Sequence, residues 1–441
     1  MADIRTAFEH CGAVTTDTRN INPGAMFVAL KGERFDGNDY ALDALQSGAA
    51  YAVVAYDSKL GRALSEGGDA SLEAVRERIV LVPDTLEALQ GLARWHRRKF
   101  HIPVIGLTGT NGKTTTKELI TAVLSKKYRV CATKGNLNNH IGVPMTLLGM
   151  GPETEIAVIE MGANHPGEIK TLVEIALPNA GLVTNVGKAH LEGFGSFEGV
   201  KATKRELYDF LASHQGVVLF NEDNAHLAGM LDEAAVDPQF RMPYGLKLFK
   251  GELLPVSLEE PYLRLNIFGK TLKTALVGDY NADNVVAALA VAMFFEVDLE
   301  DAMDAIAAYR PSNHRSQMVR TERNTLVVDA YNANPTSMNI STSAFASNGL
   351  PGKVMILGAL RELGAESVAE HKALIEHLKS LKGVEQVFLV GQEFEGLNES
   401  FPLFADVEAL KEHLKAFPLE GKSILLKGSH STSLERLIEI L

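Results

Sequence analysis

The chain reads as an α/β protein of several domains, and three observations carry that reading. Apolar segments of strand length alternate with stretches of helical spacing through the middle and the C-terminal third. A glycine-rich loop, Gly106-Leu107-Thr108-Gly109-Thr110-Asn111-Gly112-Lys113-Thr114-Thr115-Thr116, lies between one such strand and a helix. The 441 residues exceed a single hydrophobic core, and at ~100–200 residues per domain they predict two to four domains, with three as the central value.

Taken in order, the first segment holds strands at Ala25–Leu30 and Tyr51–Tyr56 with a helix at Ala41–Ser47 between them. Gly61–Ser71, with its Gly-Gly pair and small residues, reads as a loop; Ile79–Val82 reads as a strand closed by Pro83. A small α/β domain is therefore expected over residues 1–83. From His101 the order becomes strand, glycine-rich loop and helix, then strands at Ile156–Ile159 and Gly181–Asn185, the pattern of a mainly parallel sheet. Pro238–Leu276, with alternation over Tyr262–Phe268, reads as an antiparallel insertion or edge sheet, and Val285–Phe295 as a buried helix. These segments make up a central domain over 84–310. After Pro311, strands at Thr325–Val328, Val354–Leu357, Val387–Val390 and Ile424–Leu426 predict a third α/β domain over 311–441.

Composition narrows the function classes. Hydrophobic residues at 46% and charged residues at 22% give a soluble globular mixture, and a formal charge of −12 disfavours a broad nucleic-acid footprint. Any phosphate ligand must then be held by a local, backbone-rich site. Two cysteines, Cys11 and Cys131, are too few and too distant for a disulfide scaffold and fit a reducing cytosol. The N-terminus lacks the apolar region of a secretion signal, and no transmembrane segment is expected, because the longest apolar run is too short to span a bilayer.

Nucleotide chemistry is the first functional expectation. Glycines let backbone N–H groups of Gly109, Thr110, Asn111 and Gly112 turn toward phosphates, Lys113 adds a point charge, the Thr114 hydroxyl can hold Mg²⁺, and Thr115 follows on the nucleotide side. One departure stands out: a strict GxxxxGK[ST] pattern has Gly at position 107, which here is Leu. Glu160 and His190 follow successive strands, at the rim where open α/β sheets bind ligands. With Thr114 they offer oxygen and nitrogen donors for Mg²⁺ or Mn²⁺; a capping Glu and a locally bonded His are the plain alternatives. Lys201, Lys204, Arg205 and Glu206 open an apparent helix, for which solvent exposure is the default reading. Carbamylation of Lys204 would instead make it an anionic ligand.

The Asn136, Asn138 and Asn139 run fits sugar or phosphate recognition as well as a structural loop. Asn281 and Asn284, three apart, fit either an adenine edge or a helix cap. Asp329-Ala330-Tyr331-Asn332-Ala333-Asn334-Pro335 follows a strand and fits either a substrate loop or an Asx-rich turn. Arg315 can reach a transferring phosphate or serve as a hinge, and Lys427-Gly428-Ser429 can bind a carboxylate or turn the chain.

Nearly the whole chain resembles the Mur ligases, the ATP-dependent amide-forming enzymes of bacterial peptidoglycan synthesis. The resemblance rests on TTDTR at 15–19, FVALKGERFDG at 27–37, TGTNGKTTTKE at 108–118, NLNNHIGVP at 136–144, Glu160-Met161-Gly162, Gly187-Lys188-Ala189-His190 and YNANPTSM at 331–338. The last motif resembles the branch that adds D-alanyl-D-alanine. The resemblance implies a UDP-sugar-binding N-terminal domain, a central P-loop ATPase domain, and a Rossmann-like C-terminal domain that closes over the cleft and binds the dipeptide. By the same resemblance, Thr18, Arg19, Asn136, Asn138 and Asn139 go to the UDP-sugar and Lys113 to phosphate. Thr114, Glu160, His190 and a carbamylated Lys204 go to the metal, Asn281, Asn284, Arg315 and Asp329 to ATP, and Asn332, Asn334 and Pro335 to the acceptor.

The implied reaction joins D-Ala-D-Ala to UDP-MurNAc-tripeptide through an acyl phosphate, in a monomeric cytoplasmic enzyme using ATP and Mg²⁺ or Mn²⁺. A Mur ligase with another acceptor and a non-catalytic nucleotide-regulated binder are the rival readings. Four motifs depart from the pattern: Tyr280 stands for a common His, Ala330 for a second acid, Gly358-Ala359-Leu360 for GDM, and His430 for the Arg of KGSR.

Overall fold

The computed structural model describes residues 3–67, 70–311, 315–397 and 399–441. The chain forms two compact units: residues 1–106, 129–162 and 170–179 make the first, and residues 107–128, 163–169 and 180–441 the second.

In the first unit, β1 (Val14–Thr15), β2 (Met26–Val28), β3 (Tyr51–Ala55) and β4 (Ile79–Val82) pair in that order, all parallel. Parallel strands are covered on both faces, which is why β2 and β4 are apolar and buried throughout. Phe27, Ala44, Leu45, Val54, Leu64 and Ile79 share the core. The loop expected at Gly61–Ser71 is instead largely helical, with helices at Lys59–Glu66 and Ala70–Glu73; residues 68 and 69 lie outside the described residues. Ser58 explains the difference, because its hydroxyl accepts from Gly61 N at 3.0 Å and caps the first helix. Gly61 is required there by packing rather than as a breaker: a Cβ would lie 2.2 Å from Ala55 O.

Helix Thr85–Arg97 follows, its start capped by Asp84 accepting from Glu87 N at 2.8 Å. Buried Arg97 donates to the carbonyls of Phe100, Ala176 and Leu177. Next come β5 (Val104–Thr108), β6 (Val130–Ala132) and β7 (Ile156–Glu160). The last two are parallel partners, and Ala157 N donates to Pro103 O at 3.0 Å.

The second unit opens with the end of β5 and helix Lys113–Leu124. β8 (Ala180–Val183), β9 (Val217–Asn221) and β10 (Arg241–Tyr244) run parallel, and Thr184 N donates to Thr108 O at 2.9 Å just past β8. The expected antiparallel insertion is present as β11 (Glu252–Leu253), β12 (Arg264–Ile267) and β13 (Lys270–Lys273). The expected buried helix spans Ala282–Phe294, with every residue from Val285 to Ala292 buried. An all-round apolar helix must be covered on all sides.

The C-terminal sheet contains β14 (Gln317–Arg320), β15 (Thr325–Asp329), β16 (Lys353–Gly358), β17 (Gln386–Val390), β18 (Leu403–Phe404) and β19 (Ser423–Lys427). Their order is β14-β15-β19-β16-β17-β18, parallel except for the β14–β15 pair. Insertion of β19 between β15 and β16 brings the loops after Asp329, Gly358 and Lys427 to one edge, where an open sheet presents ligands.

Asn324 ties this sheet to the chain end. It is buried, its Nδ2 donates to Leu419 O at 2.8 Å and to Leu441 O, and its Oδ1 accepts from Lys422 N at 2.9 Å. Asn324→Ala strands these groups, so urea unfolding followed by circular dichroism should show a loss of about 2–3 kcal/mol. An unchanged midpoint would show that the three bonds contribute nothing net.

Candidate active site

The glycine-rich loop takes its shape from two positions without a side chain. Gly109 has φ +144° and Gly112 φ +76°. A Cβ on Gly109 would lie 2.0 Å from Thr184 Oγ1, and one on Gly112 2.5 Å from Asn284 Oδ1. Position 107 needs no glycine, because Leu107 is still strand β5 and wholly buried; the turn begins later than the strict pattern places it.

Asn111 is the hub of this loop. Its N–H donates to Asn185 Oδ1 at 2.9 Å, and its carbonyl accepts from Thr184 Oγ1 at 2.7 Å and Asn185 Nδ2 at 3.1 Å. Its own Oδ1 accepts from Asn334 Nδ2 at 2.8 Å. Thr110 Oγ1 accepts from Gly187 N at 3.0 Å. Lys113 Nζ donates back to the carbonyls of Gly109 and Thr110 at 2.8 and 3.1 Å, and Thr114 is buried in the first helical turn.

A cavity of about 300 Å³ opens on the loop, with Asn111, Lys113, Thr115, Arg315, Asp329 and Asn332 in its wall. Asn281 and Asn284 also line it, yet neither makes a side-chain cap. They form a relay: Thr116 Oγ1 donates to Asn284 Oδ1, Asn284 Nδ2 to Asn281 Oδ1, and Asn281 Nδ2 to Val277 O, at 2.9, 2.8 and 2.8 Å. Tyr280 shares a hydrogen bond of 2.8 Å with Ser316, and burial pushes its phenol well above the ordinary range. The Arg315 guanidinium lies 3.9 Å over the Tyr331 ring. Asp329 is held by Lys427 Nζ at 2.6 Å, with Lys427 itself 1% exposed.

Lys204 corrects the default reading of its helix. Helix Phe197–Ser213 begins at Ser196, so Lys204 lies in its interior and is buried, while Lys201 and Arg205 pair with Glu233 nearer the surface. Burial first and nearby Lys113 second lower the Lys204 amine to about 7. His190 sits in left-handed backbone at φ +49°, with its Nδ1 on Glu362. Burial lowers its pKa, against the pull of Glu362, and Lys113 and Lys204 both add to the lowering. Lys113, Lys204 and His190 thus act on one another through their charges, with Glu168 and Glu206 near Lys204 and Glu362 on His190 as the opposing carboxylates.

In the first unit, Glu160 ends β7 and is 1% exposed; its Oε1 accepts from Asn138 Nδ2 at 2.8 Å, and its N–H donates to Thr133 Oγ1. Asn139 caps helix Gly142–Leu148 by accepting from Gly142 N at 2.8 Å, whereas Asn136 is exposed. Arg19 is gripped through two nitrogens by Asp17, whose carboxyl falls to about 2 under that contact, next to Thr18. In the second unit, Asn334 and Pro335 begin helix Pro335–Ser347 with a capping box to Ser337, the plain reading of this motif, while Asn332 faces the cavity.

Sequence reasoning left Lys427 undecided and did not single out Tyr331, Arg361 or Glu362. The only signal for Lys427 and Asp329 is that each ends an apolar strand; their pairing depends on β19 lying beside β15. Among the described residues, no three His, Cys, Asp or Glu side chains form a metal cage. Thr114 and His190 belong to the second unit and Glu160 to the first; their hydroxyl, imidazole and carboxylate are each donors of the kind a hard divalent ion takes.

Comparison with known proteins defines the class. The Mur ligase catalytic domain family matches residues 10–97, the Mur ligase middle domain 107–292, and the glutamate ligase domain of Mur ligases 314–439. The chain belongs to the Mur ligase family, ATP-dependent amide-forming ligases of peptidoglycan and cell-wall synthesis, and has its three-domain α/β architecture. Within that family it is similar to UDP-N-acetylmuramoyl-tripeptide–D-alanyl-D-alanine ligases. That of Escherichia coli K12 is 35% identical over 97% of this chain and 93% of its own length, and that of Bacillus subtilis 168 is 34% identical over 97% and 92%. The crystal structure of MurF from Acinetobacter baumannii matches with TM-score 0.82 and 29% identity, covering 99% of this chain and 96% of its own. MurF from Thermotoga maritima, solved with ADP, matches at 0.80 and 28%, covering 100% and 98%.

The seating of Gly109 yields a direct test. Gly109→Ala puts a methyl group against Thr184 and a side chain at positive φ, so ATP affinity measured by calorimetry should fall more than about 100-fold, the scale of several kcal/mol of strain. Wild-type affinity would mean that the loop relaxes without cost.

Proposed function

We propose that the protein ligates D-Ala-D-Ala to UDP-MurNAc-tripeptide with ATP, releasing ADP and phosphate. The observation that carries this reading is a loop seated by two glycines whose Lys113 lines a cavity with Arg315 and Asp329, in a chain whose named relatives add this dipeptide. The donor peptide carboxylate attacks the γ-phosphorus and becomes an acyl phosphate; the unprotonated dipeptide amine then attacks its carbonyl and phosphate leaves. Activation is needed because a carboxylate is a poor acyl donor.

Lys113 and the loop N–H groups hold the phosphates and stabilise charge developing on them. Arg315, Asp329, Asn281 and Asn284 border the nucleotide. Thr18, Arg19 and the asparagines at 136, 138 and 139 serve the UDP-sugar; Asn332, with the turn built by Asn334 and Pro335, serves the acceptor. By the resemblance, Thr114, Glu160, His190 and Lys204 as its carbamate are the residues that would hold Mg²⁺ or Mn²⁺, an ion that when bound would neutralise phosphate charge. Residues 1–83, 84–310 and 311–441 are the corresponding substrate, ATP and acceptor domains. The enzyme acts as a cytoplasmic monomer; no described helix is long and apolar enough to cross a membrane.

Intact-product mass spectrometry across a matrix of acceptors tests the reaction. The joined pentapeptide should dominate and depend on ATP; preference for a single amino acid, or nucleotide binding with no joined product, would defeat the reading. Lys113→Ala should bind the UDP-sugar but lose about 100–1,000-fold in turnover. Near-normal turnover at saturating ATP removes Lys113 from the chemistry.

Carbamylation is tested separately. Only the neutral amine captures CO₂, and a folded pKa of about 7 makes Lys204 neutral above that pH. With ¹³C-bicarbonate, a carbamate resonance should grow as pH rises through about 7 and be absent in Lys204→Ala. A resonance that persists in the variant, or none in the wild type, rejects the modification.

A further inference from the structure

The loop after β16 carries two oppositely charged neighbours to one cavity. Its backbone is pinned where Leu360 N donates to His371 Nε2 at 3.1 Å, and wholly buried His371 donates through Nδ1 to Ser367 O at 2.7 Å. Glu362 then takes left-handed backbone at φ +58°. The two side chains find different partners: Arg361 Nη1 donates to Glu393, and Glu362 meets His190.

Both residues line a cavity of about 230 Å³, together with His190, Asn332, Ser429 and His430. This is smaller than the usual range of about 300–1,000 Å³ for drug-sized ligands. It offers polar groups of both signs, as a zwitterion requires. Among the residues lining it, Arg361 is the one Lys or Arg. His430, which stands where the related motif has Arg, is stacked on Tyr331 with ring centroids 6.1 Å apart and its N–H on Tyr331 O at 3.0 Å. An imidazole in that position offers neither the five-donor fork nor the permanent charge of a guanidinium.

We propose that Arg361 is the specificity-determining residue for the acceptor, its guanidinium receiving the terminal carboxylate of the incoming dipeptide in this cavity. The pairing to Glu393 uses Nη1, one nitrogen of a guanidinium that carries five donors. Tyr331 and Asn332 line both this cavity and the one that holds Lys113, so a dipeptide anchored here presents its amine beside the proposed phosphoryl-transfer site. The proposal rests on the proposed ligase function, in which the acceptor ends in a free carboxylate.

The test compares D-Ala-D-Ala with its C-terminal amide. The wild type should prefer the free acid by about 10- to 100-fold in kcat/KM, the scale of a charge-assisted hydrogen bond. Arg361→Ala should lose that preference by raising the KM for the acid, with the KM values for ATP and UDP-tripeptide unchanged. Adding His430→Arg to Arg361→Ala should restore the preference, a rescue that a merely structural role would not show. Unaltered acid-to-amide preference in Arg361→Ala, or equal losses for acid and amide, overturns the proposal. A wild type that joins a different amino acid instead defeats the functional reading; the same ratio, taken with that acid and its amide, then decides the role of Arg361.

Discussion

Two missing β-carbons are the constraint on which the nucleotide end of this protein depends. Gly109 and Gly112 lie so close to Thr184 and Asn284 that any side chain would push the loop away from its supports. The supports are set in turn by larger elements, since Thr184 follows β8 and Asn284 lies on the buried helix Ala282–Phe294. The turn therefore takes its shape from the packing behind it before any ligand arrives, with the N–H groups of Thr110 and Asn111 both held on Asn185.

Charge is distributed by the same logic of preparation. Lys204 sits in an interior that penalises its protonated form, and nearby Lys113 adds to that penalty. An amine held so is favoured as its neutral form. The Asp329–Lys427 pair shows the other solution, in which buried charges are matched within the fold. Removing either partner would leave an uncompensated charge, so the pair is better understood as fixing where two strand ends lie than as a source of net stability.

The parts legible in the sequence were those with a local cause. Strands β15, β16, β17 and β19, the apolar helix over Ala282–Phe294 and the antiparallel insertion all follow from apolar runs and periodicity that need no partner to be recognised. The glycine-rich turn was legible in its glycines, although Leu107 shows that the strand's claim on that position overrides the strict consensus. What stayed hidden depended on contacts remote along the chain. Helix Lys59–Glu66 was obscured because Gly61, a breaker in isolation, is required by the nearby Ala55 carbonyl. Lys204 looked like one member of a charged surface run, and only the packing of its helix distinguishes it from Lys201. Asn138 and Asn139 have different tasks despite being neighbours, one holding Glu160 and the other a helix end.

Asn111 has a consequence of another kind. The residue whose N–H stands in the phosphate loop also accepts, through its side chain, from Asn334 at the start of helix Pro335–Ser347. One amide side chain thus connects the nucleotide loop to the segment that carries Asn332. Thermodynamic linkage makes such a connection symmetrical. Any ligand that favours the arrangement in which these two asparagines meet strengthens the binding of whatever else favours it, by the same factor in either order of addition. Occupancy at one end would then be felt at the other through a single hydrogen bond.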